Sequence, residues 1–225
     1  MIRPLTWWVA PLLTMTLSTA TGCSVHRRGT PVLDPTERYL IASLPADQPM
    51  ALVLDDSPAG DRLLRTPARP LDLADPATGH LADRMLATLL EADGVGIAAV
   101  QVGIPRALLW AQRFDLEGHP FEAFVNPEVL ALSDETEEGW EGCLSVSDIY
   151  SRVDRAISIE LRFQALDGEL ITETVEGFTA VILQHELDHL EGILFTDRAD
   201  SDDFVSREDY LEIKRAREES TNSAD

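Results

Sequence analysis

The chain has 225 residues, 44% hydrophobic and 26% charged, which is enough for one domain with appendages and an ordinary apolar core. Its formal net charge of −22 argues against direct binding of nucleic acid or of an anionic membrane surface, because phosphates are repelled. Acidity of this kind keeps a protein soluble.

Residues 1–23 read as an export signal. Arg3 supplies a short positive end, Leu5 to Leu17 a mostly apolar stretch, and Ser18 to Gly22 a run of small residues. Pro4 and Pro11 interrupt it, and it is short for a membrane-spanning helix. It ends Ala20-Thr21-Gly22-Cys23, which resembles the lipobox of bacterial lipoproteins, with Ala20 where Leu is usual. Acylation of Cys23 would leave Cys143 with no partner for a disulfide. Residues 24–50 carry Pro31, Pro35, Pro45 and Pro49 with weak periodicity, so a tether is expected there and a folded domain over 51–200.

Leu81, Met85, Leu86, Leu89 and Leu90 recur at helical spacing and predict a helix over His80–Leu90, ending at Asp93-Gly94. Gly94 to Gly103 is rich in small residues, as expected where backbone packs closely against a strand or a ligand. Strands are predicted over Ala107–Trp110 and Phe121–Val125, with a turn at Glu117 to Pro120 and a break at Asn126-Pro127. An acidic loop precedes Glu141-Gly142-Cys143-Leu144-Ser145. Ile157, Ile159, Leu161 and Phe163 alternate as one face of a strand, and Asp167-Gly168 turns it back into Leu170 to Val175. Gly177 opens a helix with apolar Val181, Ile182, Leu183 and Leu187. Residues 201–225 form an acidic tail with a possible short helix from Arg207 to Glu218.

That last apolar helix carries Gln184-His185-Glu186-Leu187-Asp188-His189, an H-E-x-x-H pattern. Residues four apart share a helix face, so His185 and His189 can present two imidazoles to one ion, with Glu186 beside them as a base. A polar stripe or a buried hydrogen-bonded pair is the bland alternative. A metal site needs a third ligand. No His follows His189, a downstream Glu remains open, and Cys143 upstream is the better candidate.

Three motifs, GVGIAAVQ at Gly94 to Gln101, EGCLS at Glu141 to Ser145 and QHELDH at Gln184 to His189, stand in the order and spacing of the peptide deformylase family, which this chain resembles over roughly Ala51 to Asp200. The resemblance implies an α+β fold with antiparallel strands around a central helix that carries two metal ligands. It implies one Fe(II) per chain, replaceable by Zn(II) or Ni(II), bound by Cys143, His185 and His189. It also implies hydrolysis of the N-formyl group from formyl-methionyl peptides, releasing formate.

The chemistry fits the residues themselves. Three protein ligands leave a fourth position for water, whose pKa the cation lowers towards ~7. Glu186 would carry the proton to the leaving amine. The Gln101 amide and the Leu144 backbone N–H match the family's oxyanion donors. Gly96 would let the peptide backbone approach, and Val95, Phe178, Val181 and Ile182 match family positions lining the methionine pocket, though they suit an ordinary core equally well.

The chain departs from the family at Ser147, Asp148 and Ser151, where a Pro-Gly pair and a later Gly are common. The tail sets Asp200, Asp202, Asp203, Glu208, Asp209, Glu212, Glu218 and Glu219 against Arg207, Lys214, Arg215 and Arg217, which speaks against ribosome docking by that surface. Two other functions are compatible with the sequence. One is an exported zincin-type metallopeptidase with Glu208 or Glu212 as third ligand; the other is a non-catalytic envelope protein on a deformylase fold. The expected location is the cell envelope, anchored through lipid on Cys23. A start at Met50 would instead make the protein cytoplasmic.

Overall fold

The computed structural model describes residues 31–222; Cys23 and the expected signal lie outside them. Helix α1 is Pro35–Ala42, α2 Pro58–Leu64 and α3 Pro76–Glu91. Strands β1 Gly96–Ala98, β2 Leu108–Gln112, β3 Phe121–Leu132, β4 Thr136–Cys143, β5 Val146–Ala156, β6 Ser158–Gln164 and β7 Leu170–Glu176 follow. Helix α4 is Gly177–Glu191, β8 is Val205–Ser206 and α5 is Arg207–Asn222.

Strand alternation builds the layers. Leu108, Trp110, Ala123 and Val125 point to one face of the five-stranded antiparallel sheet β1-β2-β3-β6-β7 and pack with Leu81, Met85 and Leu89 of α3. Leu109, Ala111, Phe124, Leu161 and Phe163 point to the other face and meet Ala180, Ile182, Leu183 and Leu187 of α4. A second sheet, β4-β5-β8, flanks α4. The helix therefore sits between two sheets, which accounts for its mostly buried residues. Its end is set by Gly192, at φ +77°, where a β-carbon would stand 2.4 Å from the Arg65 carbonyl oxygen.

Several expectations change. The break at Asn126-Pro127 is a bulge inside one long strand: Asn126 has φ +49°, the register shifts between Val125 and Glu128, and pairing with β6 resumes. The acidic loop before Cys143 is strand β4, paired with β5 from Thr136 to Cys143. Its acidic residues Glu137 and Glu138 are exposed, which masks the strand in the sequence. Asp148 keeps the left-handed backbone, φ +59°, that a glycine at this family position would adopt freely.

The expected tether is, from residue 31, part of the folded body. Asp34 caps α1 in a capping box with Glu37, and Leu33, Ile41 and Met50 are buried in the α3-side core. Glu37 accepts hydrogen bonds from Nε and Nη2 of Arg106 at 2.9 and 2.6 Å, and Arg106 is fully buried. Prolines in this stretch mark a helix start and turns between packed residues, a pattern that composition alone does not separate from a tether.

Candidate metal centre

The six residues of QHELDH divide by helix face. Gln184 bonds both backbone groups of Ala156, accepting from its N–H at 3.0 Å and donating to its carbonyl at 2.8 Å, which ties α4 to the end of β5. Asp188, one turn on, accepts from Arg155 at 2.6 Å and pairs with Arg198. Leu187 packs in the core. His185 and His189, on the adjacent face, turn towards Cys143 at the end of β4.

There the Cys143 sulfur and one nitrogen of each histidine lie within 4.8 Å of one another. His189 Nε2 is 3.2 Å from Cys143 Sγ. His185 engages Glu141 through Nδ1 at 2.8 Å, which leaves Nε2 for the cluster. A carboxylate behind a ligating imidazole fixes its tautomer and raises its basicity. Glu141 is held in turn by a paired Arg155, with bonds of 2.7 and 2.9 Å. Burial opposes charge on Glu141, yet Arg155 and His185 hold its carboxyl down at about 2. Burial likewise opposes charge on His185, yet hydrogen bonds to Cys143 and Glu141 raise its pKa well above the ordinary value. His189 moves the other way, because burial and then the neighbouring His185 charge favour its neutral form. One soft sulfur and two imidazoles facing a common point, backed by an anion, fit a divalent transition metal.

Glu186 is buried against Gly96, and burial pushes its pKa up to about 7. Gln101, on the 3-10 turn after β1, is fixed at both ends: its carbonyl accepts from Ala98 N–H at 2.7 Å, and its amide faces Ser145 Oγ at 3.2 Å and Cys143 Sγ at 3.5 Å. Leu144, Val95, Gly96, Phe178, Val181 and Ile182 all line a cleft of about 400 Å³ with Gln101, Cys143, His185 and Glu186. Phe178 is 55% exposed there, whereas Ile182 and Val95 also belong to the core beneath. Among the described residues Glu208 and Glu212 sit on exposed α5 beside Asp148 and Arg215, outside the Cys143, His185 and His189 group. Sequence reasoning left Glu141, Ser145, Arg155, Gln184 and Asp188 without roles. The signal was available in part, since Gln184 and Asp188 repeat the i, i+4 spacing of the two histidines on the next helix face.

A family model for polypeptide deformylase matches residues 57–204. Peptide deformylase from Thermotoga neapolitana is 42% identical over 142 residues, covering 62% of this chain and 82% of that protein. That from Phenylobacterium zucineum is 41% identical over 136 residues, covering 60% and 80%. The crystal structure of class I type b peptide deformylase from Acinetobacter baumannii with Met-Ala-Ser bound aligns with a TM-score of 0.61 at 36% identity, over 68% of this chain and 99% of that one. Peptide deformylase from Thermotoga maritima aligns with a TM-score of 0.62 at 35% identity, over 68% and 99%. With the match spanning most of the chain, and the sulfur of EGCLS and both imidazoles of QHELDH gathered at one point, the chain belongs to the peptide deformylase family.

Proposed function

We propose that this protein removes the formyl group from N-formylmethionyl peptides, with a divalent metal, Fe(II) or alternatively Zn(II) or Ni(II), held by Cys143, His185 and His189. The observation that carries the reading is the convergence of those three donor atoms within 4.8 Å, two of them on residues that line a cleft of about 400 Å³. Bound there, the metal supplies Lewis-acid polarisation of the formyl carbonyl and acidifies water.

The chain's own groups do the rest. Glu186, with a pKa raised to about 7, is suited to take a proton from water and pass it to the departing amine near neutral pH. Gln101 and Leu144 both line the cleft, which supports the Gln101 amide and the Leu144 backbone N–H as donors to the charge that develops on the formyl oxygen. Val95, Phe178, Val181 and Ile182 offer an apolar wall for a methionine side chain, with the Gly96 backbone beside them on the cleft.

We further propose that the protein works at the cell envelope, anchored through Cys23. The Leu5 to Leu17 stretch and the Gly22-Cys23 junction support export. Cytoplasmic production from Met50 is disfavoured by the packing of residues 33–50, because such a chain would lack Leu33, Ile41 and the Glu37 partner of a fully buried Arg106. Formate release from formyl-Met-Ala-Ser by the full-length protein, loaded anaerobically with Fe(II), tests the activity. Turnover lost on chelation and restored by Fe(II) is the expected result. No formate release at full metal occupancy would favour a binding role for the fold.

A further inference from the structure

We infer that the C-terminal helix forms part of the peptide cleft and that Tyr210 on it selects for a large apolar side chain, aromatic above all, at one of the two positions following the formylated residue. This rests on the deformylase reading above.

Tyr210 lines the same cleft as Cys143, His185 and Glu186, although it lies beyond the family-matched residues. Its ring stacks on Tyr150 with centroids 4.3 Å apart and planes 5° from parallel. Trp140 meets it at 5.6 Å and 53°. Two features place this aromatic group beside the metal ligands. Tyr150 stands opposite Gly142 in the β4–β5 register, and a β-carbon on Gly142 would come within 2.4 Å of the Tyr150 ring. The bare backbone next to Cys143 is therefore what lets Tyr150 lie over that strand. Pairing of Val205 and Ser206 with Tyr150 and Ile149 then starts α5 at this point, with Ser206 Oγ accepting from Asp209 N–H at 3.1 Å.

Gly142 and Trp140 lie one and three residues from Cys143 along β4. A peptide whose formyl carbon sits by Cys143 and which runs along that strand advances roughly 3.3 Å per residue. Its successive side chains alternate between faces, so one of the next two reaches the rings of Tyr150, Tyr210 and Trp140. Aromatic and large apolar groups gain area and ring contacts there, whereas alanine gains little.

The test uses the full-length, metal-loaded protein with four peptides: formyl-Met-Ala-Ser, formyl-Met-Phe-Ser, formyl-Met-Ala-Ala and formyl-Met-Ala-Phe. The wild type should favour Phe over its small counterpart in one of the two positions by about tenfold in kcat/KM, carried by KM. Tyr210→Ala should bring that ratio to within twofold, while Tyr210→Phe, which keeps the ring, should retain it. Measurable turnover of formyl-Met-Ala-Ser by Tyr210→Ala shows that the metal centre is intact. An absent preference in the wild type, or a preference undiminished in Tyr210→Ala, would overturn the inference and leave the deformylase reading standing. No formate from any peptide with wild-type enzyme would instead overturn the activity itself.

Discussion

Gly96 and Glu186 are fitted to each other: a β-carbon on Gly96 would stand 2.5 Å from Glu186 Oε1 and 2.9 Å from Ile182 Cγ2. The missing side chain at the start of β1 makes room for the carboxylate on α4. Gly96→Ala must displace Glu186 or the strand. A displacement of about 1 Å in a catalytic group can cost on the order of a hundredfold in rate. The variant should keep its metal and lose turnover by one to two orders of magnitude. Wild-type kcat in a metal-replete sample would show that Glu186 has slack the structure does not show.

The two groups assigned to proton transfer and oxyanion stabilisation separate kinetically. Glu186→Gln should retain metal and lose most turnover, because an amide cannot accept the proton. Gln101→Ala should lower kcat by about a hundredfold or more with a smaller change in KM, as expected for a donor engaged chiefly in the transition state. A pure KM effect would reassign Gln101 to substrate binding.

Metal retention should grade with distance from the ion. Elemental analysis of Cys143→Ala, His185→Ala and His189→Ala is expected to show each without stoichiometric metal. Glu141→Gln, which changes the group behind His185 and its pairing with Arg155 but no ligand, should bind metal about 10–100-fold more weakly and still turn over when saturated. Full occupancy in Cys143→Ala would refute the ligand set.

The Glu37–Arg106 pair predicts a stability effect far from the metal. Arg106 is fully buried, and Glu37 is 4% exposed. Removing one partner of a buried ion pair typically costs about 3–5 kcal/mol, since the remaining charge is left uncompensated. Glu37→Ala should lower the urea midpoint accordingly, and a chain starting at Met50 should be at least as unstable. An unchanged midpoint in both would mean that residues 31–49 lie on the domain without holding it.

Localisation is decided by fractionation. The wild type should sediment with membranes, take up label from a fatty-acid analogue and be digested by protease added to spheroplasts. Cys23→Ser should lose the label. An unlabelled soluble protein, protected from that protease, would place the enzyme in the cytoplasm.

The sequence by itself carried the chemistry of the centre. The i, i+4 spacing puts His185 and His189 on one helix face whatever surrounds them, and three short motifs named Cys143 and Gln101 as their companions. Helices and strands with a clean period, such as Leu81 to Leu89 and Ile159 to Phe163, were legible for the same reason: burial on one face writes a local repeat. What only the tertiary structure decided are relationships between distant segments that leave no period. Glu141 and Arg155 stand in the sequence as two charges 14 residues apart, and become an ion pair behind His185 only when β4 lies against β5. Glu37 is one acidic residue in a proline-rich stretch, and its role comes from Arg106, 69 residues away. Tyr210 lies in a run of exposed charges, and reaches the cleft because two residues of β8 pair with β5. Charge and composition report what a residue is able to do; which partner it meets is set by packing, and packing is a property of the whole chain.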